Sequence, residues 1–105
     1  MTSRRLLDET SVTLLKAAEY IEEHGWCQYD LFDEVNRACL DGAIIRSSNN
    51  FSLIREIEAQ ERVAKFLGAN LSKRSALGFI HVWNDAPGRT KEEVVAALRG
   101  AAMMG

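Results

Sequence analysis

The chain has 105 residues, of which 47% are hydrophobic and 27% charged, with seven glycines and one proline. That length makes one domain, able to bury a core without metal or disulfide staples, and the composition excludes a loop-rich or disordered chain. Net charge is −2, no apolar run approaches the roughly 20 residues that cross a bilayer, and no basic stripe with interleaved aromatics marks a nucleic-acid surface.

The first helix is predicted from Thr10 or Ser11, each a good N-cap, to Glu23. Leu14, Leu15, Ala18 and Ile21 share one stripe, and Lys16, Glu19, Glu22 and Glu23 take the wet side. Gly25 suits the left-handed residue that ends a helix, with Trp26 folding back on the last turn. A second helix is predicted over Leu31–Arg46, capped by Asp30, with Asp33 and Glu34 in its first turn. Phe32, Val35, Cys39 and Ala43 form its apolar row, and the small residues Ala38 and Gly42 would let another backbone come close. Ser47-Ser48-Asn49-Asn50 reads as a loop.

The third helix is predicted from Phe51 to about Leu67, with Leu53, Ile54, Ile57, Ala64 and Leu67 inward. Val63 and Phe66 lie off that stripe and are candidates for an exposed apolar patch. Glu58 with Arg62 and Glu61 with Lys65 have i,i+4 spacing. Ser75 can cap a fourth helix in which Ala76, Phe79, Ile80 and Trp83 fall at helical spacing. Phe79–Trp83 would also suit a strand, but a lone strand finds nothing to pair with. Asn84–Arg89 reads as a turn with Pro87-Gly88 as the central pair of type II. Thr90 and Glu93 have capping-box spacing before a fifth helix that turns Val94, Val95, Leu98, Ala101 and Ala102 inward. The tail, Met103 to Gly105, is expected to fray. The expected architecture is all-α: residues 1–105 as a compact single-domain bundle of about five short helices, neighbours close to antiparallel.

Chemistry of the kind an enzyme needs is thin. Cys27 and Cys39 lie without a second Cys or His at ligand spacing, so neither a metal nor a cofactor is implied. Acids surround Cys27, and Cys39 falls inside the predicted second helix, so neither is expected to be a nucleophile and no residue is assigned as catalytic. Charge is uneven: residues 8–34 carry a net −7 and residues 35–105 a net +3. Such asymmetry either steers a basic partner or reflects a solvated acidic helix face.

The segment HVWNDAPGRTKEEV, residues 81–94, is the least ordinary. On one reading it is a rigid corner, with Trp83 in the core, Asn84 closing a helix and Asp85 paired to Arg89 across the Pro-Gly turn. On the other, Asn84, Asp85 and Arg89 project together and bind a polar or anionic group. Trp26, Gln28 and Tyr29 after the first helix likewise form either a plug in the core or the lip of a pocket. The candidate ligand- or partner-binding residues are Trp26, Gln28, Trp83, Asn84, Asp85 and Arg89.

The stretches AAEYIEEHGWCQ, CLDGAI and VWNDAPGRTKEEVVAAL resemble a family of small proteins known as a domain of unknown function, found mainly in actinobacteria and their phages. The resemblance covers about half of the chain, and its most specific part is the Trp-Asn-Asp element with Pro-Gly-Arg-Thr. It implies an intracellular bacterial or phage setting and carries no catalytic residue. The expected function is a cytoplasmic, non-enzymatic interaction module that docks on a larger protein or forms a homodimer, away from membranes and nucleic acid. The alternative is a small-molecule binding protein or minor enzyme built on the six candidate residues.

Overall fold

The computed structural model describes residues 8–48 and 52–104, which form five helices: α1 (Glu9–His24), α2 (Leu40–Ser47), α3 (Leu53–Phe66), α4 (Ala76–Asp85) and α5 (Lys91–Ala102). No strand longer than an isolated bridge occurs among the described residues. The expected all-α single domain is what the structure shows. α1 is the central element, packing on α5, α2 and α3. Leu14, Ala17, Ala18 and Ile21 are its buried face, meeting a core that includes Leu40, Ile44, Val63, Ile80, Val94 and Leu98.

The cap of α1 is Asp8, not Thr10 or Ser11, and it does more than end a helix. Its Oδ1 accepts from the Ser11 N–H at 2.7 Å, and both its oxygens accept from the Arg62 guanidinium, at 3.1 and 2.8 Å. Arg62 also donates to the Ser11 hydroxyl, which in turn donates to the Ala102 carbonyl at 2.6 Å. One chain of bonds thus joins the start of α1, the middle of α3 and the end of α5. It also redirects Arg62 away from Glu58, the expected i,i+4 partner; Glu58 instead takes Arg55.

The predicted second helix is half of what the periodicity suggested. Residues 25–39 form an irregular loop, and α2 begins only at Leu40, with Cys39 as its N-cap rather than an interior residue. Two residues explain this. Tyr29 (φ 75°) and Asn36 (φ 64°) are left-handed, a conformation that interrupts any helix. The Asp33 carboxylate accepts from the N–H groups of Val35 and Arg37, offering the backbone a turn in place of a helix. The chain doubles back so that Trp26 and Phe32 both bridge Ala38. Phe32 is half-buried, while Val35, on the same expected row, is exposed. The expectation for Gly42 is met: a Cβ there would overlap the Leu31 carbonyl.

α3 departs from its expected inner face. Ala59, Val63 and Ala64 are buried, whereas Leu53 (67% exposed), Ile54 (69%) and Ile57 (43%) face outward. Val63 and Phe66 therefore make no joint patch: Val63 is in the core and Phe66 stacks against Gly100 of α5. α4 and its Ser75 cap follow expectation, and α5 carries the full capping box of Thr90 and Glu93. Asn49, Asn50 and Phe51, the rest of the expected Ser-Asn loop and the expected start of α3, lie outside the described residues, as does Gly105 of the tail.

Two outcomes are expected. Gly42→Ala forces the Leu31 backbone away and should destabilise by about 1–3 kcal/mol, read as a lowered urea midpoint with unchanged slope. Asp8→Ala should cost about 0.5–2 kcal/mol near neutral pH through the lost cap. The Arg62 guanidinium first, and the Ser11 N–H second, hold the folded Asp8 carboxyl well below the usual range. Its stabilisation is therefore fully present above the unfolded value of about 3.9 and drains away as pH falls below it. The gap between wild type and Asp8→Ala should accordingly narrow in urea melts between pH 5 and pH 2 (about those limits).

Candidate functional site

Asn84 lies in the last turn of α4, and it faces the core instead of closing the helix. It is 2% exposed, and its carboxamide is fully occupied. Oδ1 accepts from the Trp26 indole N–H at 2.7 Å and from the Leu40 N–H at 3.0 Å. Nδ2 donates to the Cys27 carbonyl at 3.2 Å and to Asp85 Oδ1 at 2.9 Å. One side chain thereby holds the entry to α2, both ends of the Trp26–Cys27 step and its own neighbour. The Leu40 N–H is an otherwise orphan donor in the first turn of α2, so Asn84 acts as a cap supplied from another helix.

The C-terminal end of α4 is closed by side chains from outside it. Gln28 Nε2 donates to the carbonyls of Asn84 and Ala86, each at 3.1 Å. Arg89 Nε donates to the Trp83 carbonyl at 2.8 Å. Its guanidinium carbon lies 3.8 Å from the Trp83 ring centroid, and Nη1 reaches Glu93 at 3.1 Å. A cation at the negative end of the helix dipole, stacked on an indole, is favoured twice over. Gly88 has φ 82°, and the Arg89 N–H donates to the Ala86 carbonyl at 3.1 Å, which is the expected type II turn. The expected Asp85–Arg89 pair is absent. Arg89 is committed to Trp83 and Glu93, and Asp85 Oδ1 accepts from the Tyr29 N–H at 2.9 Å.

Four of the six candidate residues, Trp26, Gln28, Asn84 and Asp85, thus converge on one junction between the loop and α4. Trp83 and Arg89 form a second cluster towards α5, joined to the first through the backbone of α4. Among the described residues every buried side-chain nitrogen and oxygen has a partner.

Sequence reasoning missed the polar neighbours on the other flank of α4. Asp41, 4% exposed in the first turn of α2, accepts from Gln60 Nε2 at 2.8 Å and lies 3.3 Å from His81 Nε2. An acid inside the apolar stretch CLDGAI was the available signal. A cavity of about 100 Å³ opens beside it, lined by Tyr29, Asp30, Leu31, Cys39, His81, Asn84 and Asp85. Cys39 caps α2 by accepting from the Gly42 N–H through Sγ at 3.3 Å, and burial pushes its thiol up to about 11. Burial likewise raises the Cys27 thiol, with Asp33 and Asp30 adding to the shift. Both therefore stay protonated at neutral pH. No group of three or more His, Cys, Asp and Glu side chains among the described residues could hold a metal ion, and no described helix is long and apolar enough to cross a membrane.

These features define a small all-α domain in which a buried asparagine locks an irregular loop to two helices. The chain belongs to the Family of unknown function (DUF6197), whose model matches residues 7–103. No curated protein and no solved structure matches it.

The junction can be tested directly. Asn84→Leu preserves bulk but leaves the Trp26 and Leu40 donors and the Cys27 carbonyl unpaired, at about 1–3 kcal/mol for each buried group. Chemical denaturation should show a loss of about 3 kcal/mol or more, against about 1 kcal/mol for Gln28→Ala. Equal losses for the two would remove Asn84 from its central place.

Proposed function

We propose that the chain is a non-enzymatic interaction module that docks on a larger protein through the exposed face at the start of α3. The observation that carries this reading is the outward placement of Leu53, Ile54 and Ile57 in the first turns of a helix whose Ala59, Val63 and Ala64 are buried. Ile57 lies three residues after Ile54 and four after Leu53, spacings with which a helix presents anchors to an apolar groove. Three side chains bury far less than the ~800 Å² per partner of a standard interface, so the partner must bring the concave half. The net −7 of residues 8–34 favours a partner with a basic rim, by steering the encounter. The corner at residues 83–90 supports the same reading, because its polar groups bind one another and leave little to perform a reaction. The setting proposed for such a module is the cytoplasm of a bacterial or phage-infected cell, as the sequence resemblance implies.

A photo-crosslinker at position 54 in the full chain tests this. One protein species should be captured, and capture should vanish in Leu53→Lys or Ile57→Lys. Folding should not change, since exposed substitutions alter stability by only about 0.5 kcal/mol. Light scattering across concentration should give a monomer. A dimer that is cross-linked to itself through position 54 would replace the larger partner by a second copy. Capture that survives both substitutions would overturn the docking face.

A further inference from the structure

The cavity between the loop and α4 has a composition that selects its occupant. Asp30 and Asp85 contribute two carboxylates, His81 contributes a ring whose Nε2 is engaged with Asp41, and no lysine or arginine lines the cavity. Both described hydrogen bonds to Asp85 end on Oδ1, so Oδ2 has no donor among the described residues, and neither does the Asp30 side chain. Asn84 offers nothing further, because its carboxamide is saturated. Leu31 and Cys39 give an apolar wall. Tyr29 is 75% exposed and its backbone is left-handed (φ 75°).

Elsewhere in the molecule arginines lie over aromatic rings. Arg46 covers Tyr20 and Phe32, Arg74 covers Phe79, and Arg89 covers Trp83. The Tyr29 ring has no such cation among the described residues. Unneutralised carboxylates beside a bare phenol ring and an apolar wall favour an organic cation and repel an anion. The volume of about 100 Å³ compares with about 10–15 Å³ for one water on the same measure. It therefore admits the tip of a side chain but not a drug-sized ligand.

We propose that this cavity receives the guanidinium of an arginine side chain presented by the protein partner. The assignment rests on the interaction-module reading and places a second, polar contact beside the loop, apart from the α3 face. The planar guanidinium can stack on Tyr29 while its N–H groups reach Asp85 Oδ2 and Asp30, which an ammonium cannot do at once.

The test is a titration of the full chain, with amide resonances followed, using the peptide acetyl-Gly-Arg-Gly-amide as probe. Saturable shifts should centre on residues 29–31, 39 and 81–85 and weaken with salt. The same peptide with neutral citrulline in place of arginine should produce none. Tyr29→Ala and Asp30→Asn remove exposed groups with no described side-chain role in the fold, and each should weaken binding about two- to five-fold. Leu53→Lys should bind the probe unchanged, so failure of the α3 face and failure of the cavity are told apart. Citrulline binding as well as arginine, or indifference to both cavity variants, would overturn the site. Methylguanidinium binding as tightly as the peptide would overturn the assignment to a partner's side chain.

Discussion

A buried primary amide with all its hydrogen-bonding capacity in use is the constraint from which the rest of this fold follows. Asn84 accepts from the Trp26 indole and the Leu40 N–H while donating to the Cys27 carbonyl and Asp85. Residues 25–39 have no regular ladder of their own beyond two isolated bridges. Without a partner from outside the loop, the Cys27 carbonyl and the Trp26 indole N–H would be left unpaired at a cost. Asn84 supplies that partner, and in doing so fixes where α2 begins and how α4 lies against it. An aspartate at the same place would present an acceptor to the Cys27 carbonyl, and a leucine would present nothing. The amide is the side chain that can give and take at once.

The same principle operates at the end of α4, where Gln28 and Arg89 satisfy carbonyls that the Pro87-Gly88 turn would otherwise leave exposed. Gln28, Asn84 and Arg89, which looked available for a ligand in sequence, are bound to other protein groups in space, and Asp85 keeps only Oδ2 open. What remains open lies at the edges. An apolar face survives at the start of α3, and a small acidic cavity with an uncovered tyrosine lies beside the loop. A third feature, the Asp41–Gln60–His81 cluster, places a buried acid in the first turn of α2, against the Gln60 amide donor and the His81 ring.

Legibility followed the range of the interactions. α4, the type II turn and the Thr90–Glu93 box depend on neighbours within four residues and were readable from spacing alone. The second helix was not, because Phe32, Val35, Cys39 and Ala43 imitate a helical row while Asp33 and two left-handed residues, Tyr29 and Asn36, break it. α3 was misread for a different reason. Periodicity reports that Leu53, Ile54 and Ile57 share a side with Ala64, but only the placement of the helices packed on α3, namely α4, α1, α5 and α2, decides how much of that side is covered. Asn84 stood out in the sequence, yet its partners Leu40 and Trp26 lie 44 and 58 positions away. Spacing says nothing about such partners, and so it also hid the cavity formed by the loop against His81.

The bond from the Ser11 hydroxyl to the Ala102 carbonyl closes a separation of 91 residues. α1 and α5 therefore behave as the two halves of a clasp. Loop-closure entropy must be overcome before their contacts are rewarded, which slows folding compared with bundles whose partners are sequence neighbours. On a ribosome, the part of the α1 stripe that packs on α5 would stay uncovered until α5 emerged, a window in which the nascent chain is open to chaperones and to premature association.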